Sequence, residues 1–299
     1  MSKQGNKKIL LAVDGSDHAL EAVRYVSKIP SLRHMGVVLF NVYSKVPESY
    51  WDIERQASPA WRMKEVRAWE REHKKTIQDH MERAKKILWR AGFPKDLVKV
   101  KIHGREIGIA RDIVREAEGG YSCVVVGRKG MSKLKDLVLG SVSTKLLEKL
   151  DFVPLVTVGK NPLPGKVLLG FDGSEGSLRA LDYLGSIFGD STFEVALAYV
   201  IRGDKKEYTE AAKKQIAKAF EKGKSRLMKS GVESVQVTTK IITGAHSRAS
   251  AITREAREGG YGTIVVGRRG LSKVLDFSMG RVSNKVIHMA KKQAVWVVT

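Results

Sequence analysis

The chain contains the same sequence pattern twice. The stretch from Tyr121 to Lys145 shares 13 of its 25 residues with the stretch from Tyr261 to Lys285. The starts of the two copies also correspond, because ILLAVDGSD from Ile9 matches VLLGFDGSE from Val167. A repeat of this length indicates two similar domains in tandem, and the chain is long enough for each to bury a core of ordinary size.

The boundary between the copies is marked by composition. The segment GKNPLPGK, residues 159–166, holds two prolines and two glycines and is typical of a linker. We therefore predict domains at residues 1–160 and 161–299.

Each copy alternates short apolar runs with stretches of helical periodicity. In the first copy the run Ile9–Val13 precedes an amphipathic stretch, and VVLFNVY from Val37 precedes a long apolar stripe at helical spacing. The second copy follows the same order. Strands that alternate with helices predict a parallel sheet covered on both faces. The sequence thus predicts two tandem doubly wound, Rossmann-like α/β domains, each with a five-stranded parallel sheet.

Glycines recur at fixed spacing in both copies, as Gly127, Gly130 and Gly140 and again 140 residues later. Asp14 and Asp172 directly follow the first apolar run of each copy. Ligands of open parallel sheets bind at the carboxyl ends of the strands, where a glycine lets backbone amides approach a phosphate. A helix that starts after Gly140 would attract an anion at its positive end. An aspartate at that edge can accept hydrogen bonds from ribose hydroxyls or adenine.

These motifs resemble the nucleotide-binding signature of the universal stress protein family, Gly-x2-Gly-x9-Gly-(Ser/Thr), in a tandem form that covers nearly the whole chain. The resemblance implies an adenine nucleotide alpha hydrolase-like fold that binds ATP, with Mg²⁺ held through the phosphates. The expected role is regulation or stress response, not efficient catalysis. The first apolar run is too short for a signal peptide or a membrane span, so we expect a cytoplasmic protein.

The resemblance also implies which residues hold the nucleotide. Asp14 and the backbone near Val42 would face the adenosine. The phosphates would lie against two loops of the first copy, made of Gly127, Arg128, Lys129, Gly130, Gly140, Ser141, Val142, Ser143 and Thr144. The second candidate site comprises Asp172, Val200, Gly267, Arg268, Gly270, Gly280, Arg281, Val282 and Ser283. Arg281 stands where the family has a small hydroxyl residue, and it would either pair with a phosphate or fill its place.

Catalytic and metal motifs are weak. The stretch GREIGIAR from Gly104 lacks the lysine and hydroxyl of a P-loop, and the seven histidines show no metal-binding pattern. His73 and His80 lie on or beside the apolar stripe of the long helix and are predicted to be core or boundary residues. We predict no catalytic residue and no protein metal site, with slow ATP hydrolysis as an alternative.

The net charge of +22 raises a second alternative, a nucleic-acid-associated protein. Basic residues are spread over both copies, which favours a generally basic surface. Four tryptophans, Trp51, Trp61, Trp69 and Trp89, fall in or near an 18-residue excess of the first copy. They would either stack on single-stranded nucleic acid or, as we favour, pack on their own domain or a partner subunit.

The last strands of the copies, VPLVTV from Val153 and AVWVVT at the end of the chain, carry no charge. An exposed edge of that composition invites aggregation. The resemblance implies that the two copies cover these edges by pairing with each other as an intramolecular pseudo-dimer. A homodimer of the whole chain stays open, and no membrane partner is expected. Cys123, in an apolar run, is predicted to be a buried thiol.

Overall fold

The computed structural model describes residues 7–44, 59–130, 139–189, 191–203, 206–270 and 279–299. In this part of the chain ten strands and eight α-helices follow one another in the predicted order. The strands are β1 (Lys8–Ala12), β2 (Gly36–Tyr43), β3 (Val98–Gly104), β4 (Cys123–Gly127), β5 (Leu155–Val158), β6 (Lys166–Gly170), β7 (Glu194–Arg202), β8 (Val237–Ala245), β9 (Thr263–Gly267) and β10 (Ala294–Val298). The helices are α1 (Asp17–Ser27), α2 (Pro59–Arg90), α3 (Ile109–Ala117), α4 (Ser141–Lys149), α5 (Glu175–Phe188), α6 (Lys206–Lys229), α7 (Arg248–Glu258) and α8 (Arg281–Met289).

All ten strands belong to one sheet, in the order β3-β2-β1-β4-β5-β10-β9-β6-β7-β8. Within each half the five strands are parallel, which confirms the predicted fold class. The halves join where β5 and β10 run antiparallel, with Val156 opposite Trp296. The predicted pairing of the two uncharged strands is therefore confirmed, and neither strand is left as an exposed edge.

Helices cover both faces of the sheet, and each face forms a core that runs through both halves. Helices α1, α2, α5 and α6 pack on one face, while α3, α4, α7 and α8 pack on the other. Strand β5 ends at Val158 and β6 begins at Lys166, so the predicted linker connects them. Because the two cores are continuous across the halves, the boundary at residue 160 stays a prediction from the repeat. Within the described residues, no helix combines the length and the apolar character that crossing a membrane would need.

The junction of the halves is closed by a buried hydrogen-bonded cluster. The indole Nε1 of Trp296 donates to the Tyr25 hydroxyl at 2.8 Å, and that hydroxyl lies 2.8 Å from Thr263 Oγ1. Tyr183, the counterpart of Tyr25 in the second half, donates to the carbonyl of Ser122 at 3.0 Å. Burial raises the pKa of Tyr25, so its hydroxyl stays protonated at neutral pH and can donate. Each half thus anchors a tyrosine in the other.

A second reciprocal contact uses two arginines that follow β4 and β9. Arg128, only 4% exposed, donates to the carbonyls of Ile287 (2.5 Å), His288 (2.6 Å) and Ala290 (3.1 Å) at the carboxyl end of α8. Arg268 does the same at the end of α4, with Leu150 at 2.8 Å and Leu147 at 2.9 Å. Terminal helix carbonyls lack partners within the helix, and a cation there also opposes the helix dipole. Burial lowers the pKa of Arg128 to about 10, which leaves it charged at neutral pH.

The long helix α2 packs its aromatic residues within its own half. The Trp69 ring stacks on His73 with centroids 4.6 Å apart, and Trp89 packs against the core. His73 and His80 are half-buried, which confirms the prediction that they are boundary residues. Trp69 and Trp89 therefore pack within their own domain, and the structure does not present them as an open platform for stacking on single-stranded nucleic acid. Trp51 and the side chain of Trp61 lie outside the described residues.

Cys123 in β4 is buried as predicted, at 2% exposure. Burial raises the pKa of its thiol to about 12. The thiolate, the reactive form of cysteine, is therefore essentially absent at neutral pH.

We expect Arg128→Leu to lower the free energy of unfolding by about 3 kcal/mol, because charge-assisted hydrogen bonds contribute about 1.5 to 3 kcal/mol each and do not add fully. Chemical denaturation followed by circular dichroism measures this loss. The matched control is Arg257→Leu, an exposed arginine whose surface ion pair with Glu258 should matter by less than about 1 kcal/mol. Equal stability of the two variants would contradict the bridging role of Arg128.

Removal of residues 294–299 should uncover the edge of β5, since β10 is its neighbour on that side. An uncharged, unpaired edge of four buried residues favours association with another chain. Sedimentation velocity of the shortened and full-length chains at equal concentration measures the effect. A shortened chain that sediments as the full-length chain does and melts at the same temperature would show that the pairing is dispensable.

Candidate functional site

Two corresponding sites lie at the carboxyl ends of the strands, one in each half of the ten-stranded sheet. In each half the carboxyl ends of the first and fourth strands adjoin, β1 beside β4 and β6 beside β9. The halves run in opposite directions across the β5 and β10 pair, so their carboxyl edges face opposite ways. We call the two places the first site and the second site.

An aspartate begins a tight turn at each site. Asp14 Oδ1 accepts a hydrogen bond from the Ser16 amide at 3.0 Å, and Gly15 between them has φ of +85°. Such a positive φ is readily adopted only by glycine, which explains the Asp-Gly-Ser sequence. Ser16 then caps α1 by accepting from the amide of Ala19 at 3.1 Å. The first carboxylate oxygen therefore holds the turn.

The second carboxylate oxygen faces the glycine loop. A Cβ added to Gly130 would lie 2.7 Å from Asp14 Oδ2, and one added to Gly270 would lie 2.9 Å from Asp172 Oδ2. The amide of Gly140 donates to the Arg128 carbonyl at 2.9 Å, which holds this loop against the start of α4. Asp14 and Gly130, 116 residues apart in the sequence, thus adjoin as the prediction required, and so do Asp172 and Gly270, which are 98 residues apart.

Helices α4 and α8 start at these sites without a side-chain cap. Their N-cap residues are Gly140 and Gly280, whereas α1, α5 and α7 each have a serine that accepts from the first turn. The first intrahelical bond of α4 is that of the Thr144 amide to Gly140, at 2.9 Å. The three preceding amides have no acceptor within the helix and point toward the glycine loop's edge of the sheet. An anion could bind them.

Gly127 and Gly267 have a packing reason of their own. A Cβ on Gly127 would lie 2.5 Å from the carbonyl oxygen of His18, and one on Gly267 would lie 2.4 Å from that of Gly176. Both glycines therefore let the end of the fourth strand of each half, β4 or β9, pack closely against the first helix of that half, α1 or α5. This contact explains them without a ligand, and phosphate contact by their backbone stays a prediction.

Three of the predicted hydroxyl donors are engaged with the backbone. Ser143 donates to the carbonyl of Gly127 at 3.0 Å and Thr144 to that of Gly140 at 3.0 Å. Ser283 donates to the carbonyl of Gly267 at 2.7 Å. These side chains brace the loop and the helix against each other, while Ser141 is exposed at the first position of α4.

The side chains of Arg128 and Arg268 turn away from the sites on which the resemblance had put them. Both guanidinium groups contact the opposite half, as described above, and only their backbone remains part of the glycine loops. Of the next residues, Lys129 is half-buried and Arg269 is exposed and lines a cavity at the second site. Val42, near the end of β2, is half-buried beside β1 and β3.

A cavity of about 590 Å³ occupies the second site. Apart from Arg268, all the residues predicted for this site line it: Asp172, Val200, Gly267, Gly270, Gly280, Arg281, Val282 and Ser283. The volume is within the range of about 300 to 1,000 Å³ that is usual for small-molecule sites. Arg281 is exposed at the cavity wall and leaves this space open.

Sequence reasoning missed several polar residues of this cavity, namely Arg202, His246, Ser247, Arg248, Arg269, Lys285, Ser174 and Ser177. The first four follow or end β7 and β8, whose carboxyl ends share the edge with β6 and β9. The rule that ligands bind at the carboxyl ends of parallel strands, which indicated Asp172, would have indicated them too, but no glycine motif marks these positions. In the described part of the chain, no cluster of three or more histidine, cysteine, aspartate or glutamate residues could hold a metal ion.

The chain is similar to known proteins over nearly its whole length. The sequence profile described as the universal stress protein family matches residues 5–158 and again 164–299. A universal stress protein of Methanocaldococcus jannaschii is 32% identical over 162 residues, which are 52% of this chain and 96% of that protein. One of Mycolicibacterium smegmatis is 30% identical over 175 residues, 56% of this chain and 55% of that protein.

The fold has a solved counterpart of the same length. The crystal structure of a universal stress protein from Archaeoglobus fulgidus superimposes with a TM-score of 0.68 at 20% identity and covers 99% of both chains. At that identity the likeness establishes the fold. Together with the two profile matches, it shows that the chain belongs to the universal stress protein family and carries the family's domain twice.

Proposed function

We propose that the protein binds ATP and serves a regulatory or stress-response role in the cytoplasm. The observation that carries the proposal is the meeting of three features at each site: an aspartate carboxylate, a glycine loop and a helix start without a side-chain cap. Carboxylates accept hydrogen bonds from ribose or adenine, and uncapped helix amides bind phosphate. A nucleotide unites these two preferences in one molecule.

Each group then has a distinct task in the proposal. Asp14 Oδ2 accepts from the nucleoside, while Oδ1 keeps the turn rigid through Ser16. The amides at the start of α4 face the phosphates, and Ser143 fixes the distance between that helix and the glycine loop. The ligand supplies the charge that attracts Mg²⁺, which would bind through the phosphates.

At the second site, Arg281 supports the pairing alternative over the filling alternative. It lines an open cavity at the first position of α8, next to the amides that have no acceptor within the helix. A guanidinium there would pair with a phosphate directly. We therefore propose that both sites bind nucleotide.

We propose binding rather than rapid hydrolysis. Among the described residues that line the cavity, Asp172 is the only carboxylate, and one of its oxygens accepts from the amide of Ser174 at 3.0 Å. A general base must reach the attacking water in a protonation state that accepts its proton. A carboxylate committed to its own turn and to the nucleoside is poorly suited to that task. His246, the histidine among the lining residues, follows β8, which is three strands from β9 and the proposed place of the 5′ phosphates.

Asp14→Asn tests the first site, because asparagine Oδ1 can still accept from Ser16 and preserve the turn while the carboxylate is lost. We expect ATP affinity at one of the two sites to fall at least about tenfold, which is about 1.4 kcal/mol. Titration calorimetry of the variant and of Asp172→Asn assigns the two binding events.

The control is Asp182→Asn, which removes a surface carboxylate of α5 that pairs with Arg226. A double variant, Asp14→Asn with Asp172→Asn, that bound ATP as the control does would refute the proposed sites. Gly127 is unsuited to this test, because a side chain there would displace α1 whether or not ATP binds.

A further inference from the structure

The cavity of the second site has basic residues at two separate ends. Arg269, Arg281 and Lys285 belong to the end formed by β9 and α8, and Arg202 and Arg248 belong to the end formed by β7, β8 and α7. His246 adds a third titratable group to the latter end. The sheet order is β9-β6-β7-β8, so the ends are two to three strand spacings apart, roughly 10 to 14 Å.

These cations have no carboxylate partners in the described part of the chain. None of the five forms an ion pair with a described carboxylate, and Asp172 is the only acidic residue among the described lining residues. Positive charges around one cavity repel each other and raise the local concentration of anions. An anionic ligand is the natural partner of both ends.

The first half does not share this charge pattern. At the positions that correspond to Arg202, Arg248 and Arg281 it has Ser44, Ile109 and Ser141, while Lys129 and Lys145 correspond to Arg269 and Lys285. Both sites therefore have basic residues at the end that carries the glycine loop. They differ most in charge at the far end, which is formed by β7, β8 and α7 in the second half and by β2, β3 and α3 in the first.

At the far end of the first site, the loop before α3 is held by a buried carboxylate. Asp112, 3% exposed, accepts from the amides of Glu106 at 2.9 Å and Ile107 at 3.2 Å. Arg105, just before them, is exposed, and Glu106 pairs with Arg115 of α3 at 2.8 Å. In the second half Ala251 takes the fourth position of the helix, as Asp112 does in the first, so no carboxylate closes that loop.

We infer that the second site takes a ribonucleotide with phosphate on both sides of its ribose, on the 5′ position and on the 3′ hydroxyl. The inference rests on the proposed nucleotide binding and adds the class of ligand. The 5′ phosphates lie against α8 with Arg269 and Arg281. The second phosphate lies between Arg202 and Arg248, at the start of α7. A plain 5′-nucleotide leaves this second pair of arginines without an anion, and the first site, which lacks them, favours it.

Three nucleotides distinguish the effect of where the phosphates are attached from the effect of how much negative charge the ligand carries. Adenosine 3′,5′-bisphosphate and ADP are isomers, and ATP carries its additional phosphate on the 5′ side only. Each is titrated by calorimetry into the full-length chain carrying Asp14→Asn, in which the first site is weakened, and a binding event is assigned to the second site when it is lost from the chain that also carries Asp172→Asn. We expect the bisphosphate to bind at least about tenfold more tightly than either ADP or ATP.

The arginine pair is tested by Arg202→Gln with Arg248→Gln in the same background. The preference for the bisphosphate over ADP should fall to within about twofold, while ADP affinity itself changes less than about threefold. The matched control is Arg105→Gln, an exposed arginine after β3 in the first half, which should leave the preference intact.

The outcomes distinguish the two levels of the argument. If ADP or ATP binds as tightly as the bisphosphate, or if the preference survives loss of both arginines, the inference is overturned and nucleotide binding stands. If none of the three binds while ATP still binds the chain with Asp14 intact, the second site is not a nucleotide site and the inference falls with it. If ATP binds neither form of the chain, the proposed function itself fails.

Discussion

The antiparallel pairing of β5 with β10 is the contact on which the rest of the structure depends. It converts two five-stranded sheets, each with an apolar edge, into one sheet whose interior strands are all paired. It also places the fourth strand of each half close to the last helix of the other, so that Arg128 and Arg268 can reach across. The opposite directions of the halves, and hence the separation of the two sites, follow from the same pairing.

Much of this was predictable because it depends on local pattern and on general rules of parallel sheets. The alternation of apolar runs and helical stripes predicted the order of the elements along the chain and a parallel sheet. The absence of charge in β5 and β10 indicated edges that need cover, and the family resemblance implied that the two strands pair. The meeting of Asp14 with Gly130 followed from the rule that carboxyl ends share an edge. The family resemblance added the expected ligand, the residues expected to hold it and the pairing of the two halves.

What escaped prediction depends on contacts between residues distant in the sequence. Arg128 sits inside a glycine motif, so its sequence position pointed to a phosphate, yet burial against α8 satisfies it with three carbonyls. Gly127 matched the same motif, although its contact with His18 is sufficient to require glycine. Arg202 and Arg248 carry no motif, and their common cavity exists only once β7 and α7 are in place. A residue's neighbours in the sequence say little about a partner in the other half.

The crossed arginines have a mechanical consequence for the molecule as a whole. Helix α8 starts at the second site, and its carboxyl end accepts hydrogen bonds from Arg128, which belongs to the glycine loop of the first site. Helix α4 starts at the first site, and its carboxyl end accepts hydrogen bonds from Arg268 of the second glycine loop. Each helix is only nine residues, roughly 13 Å, and behaves as a rigid rod over that length. A displacement of one loop that moves its arginine would therefore act on the carboxyl end of the helix that begins at the other site. Any energetic communication carried this way is reciprocal, equal in size from either end.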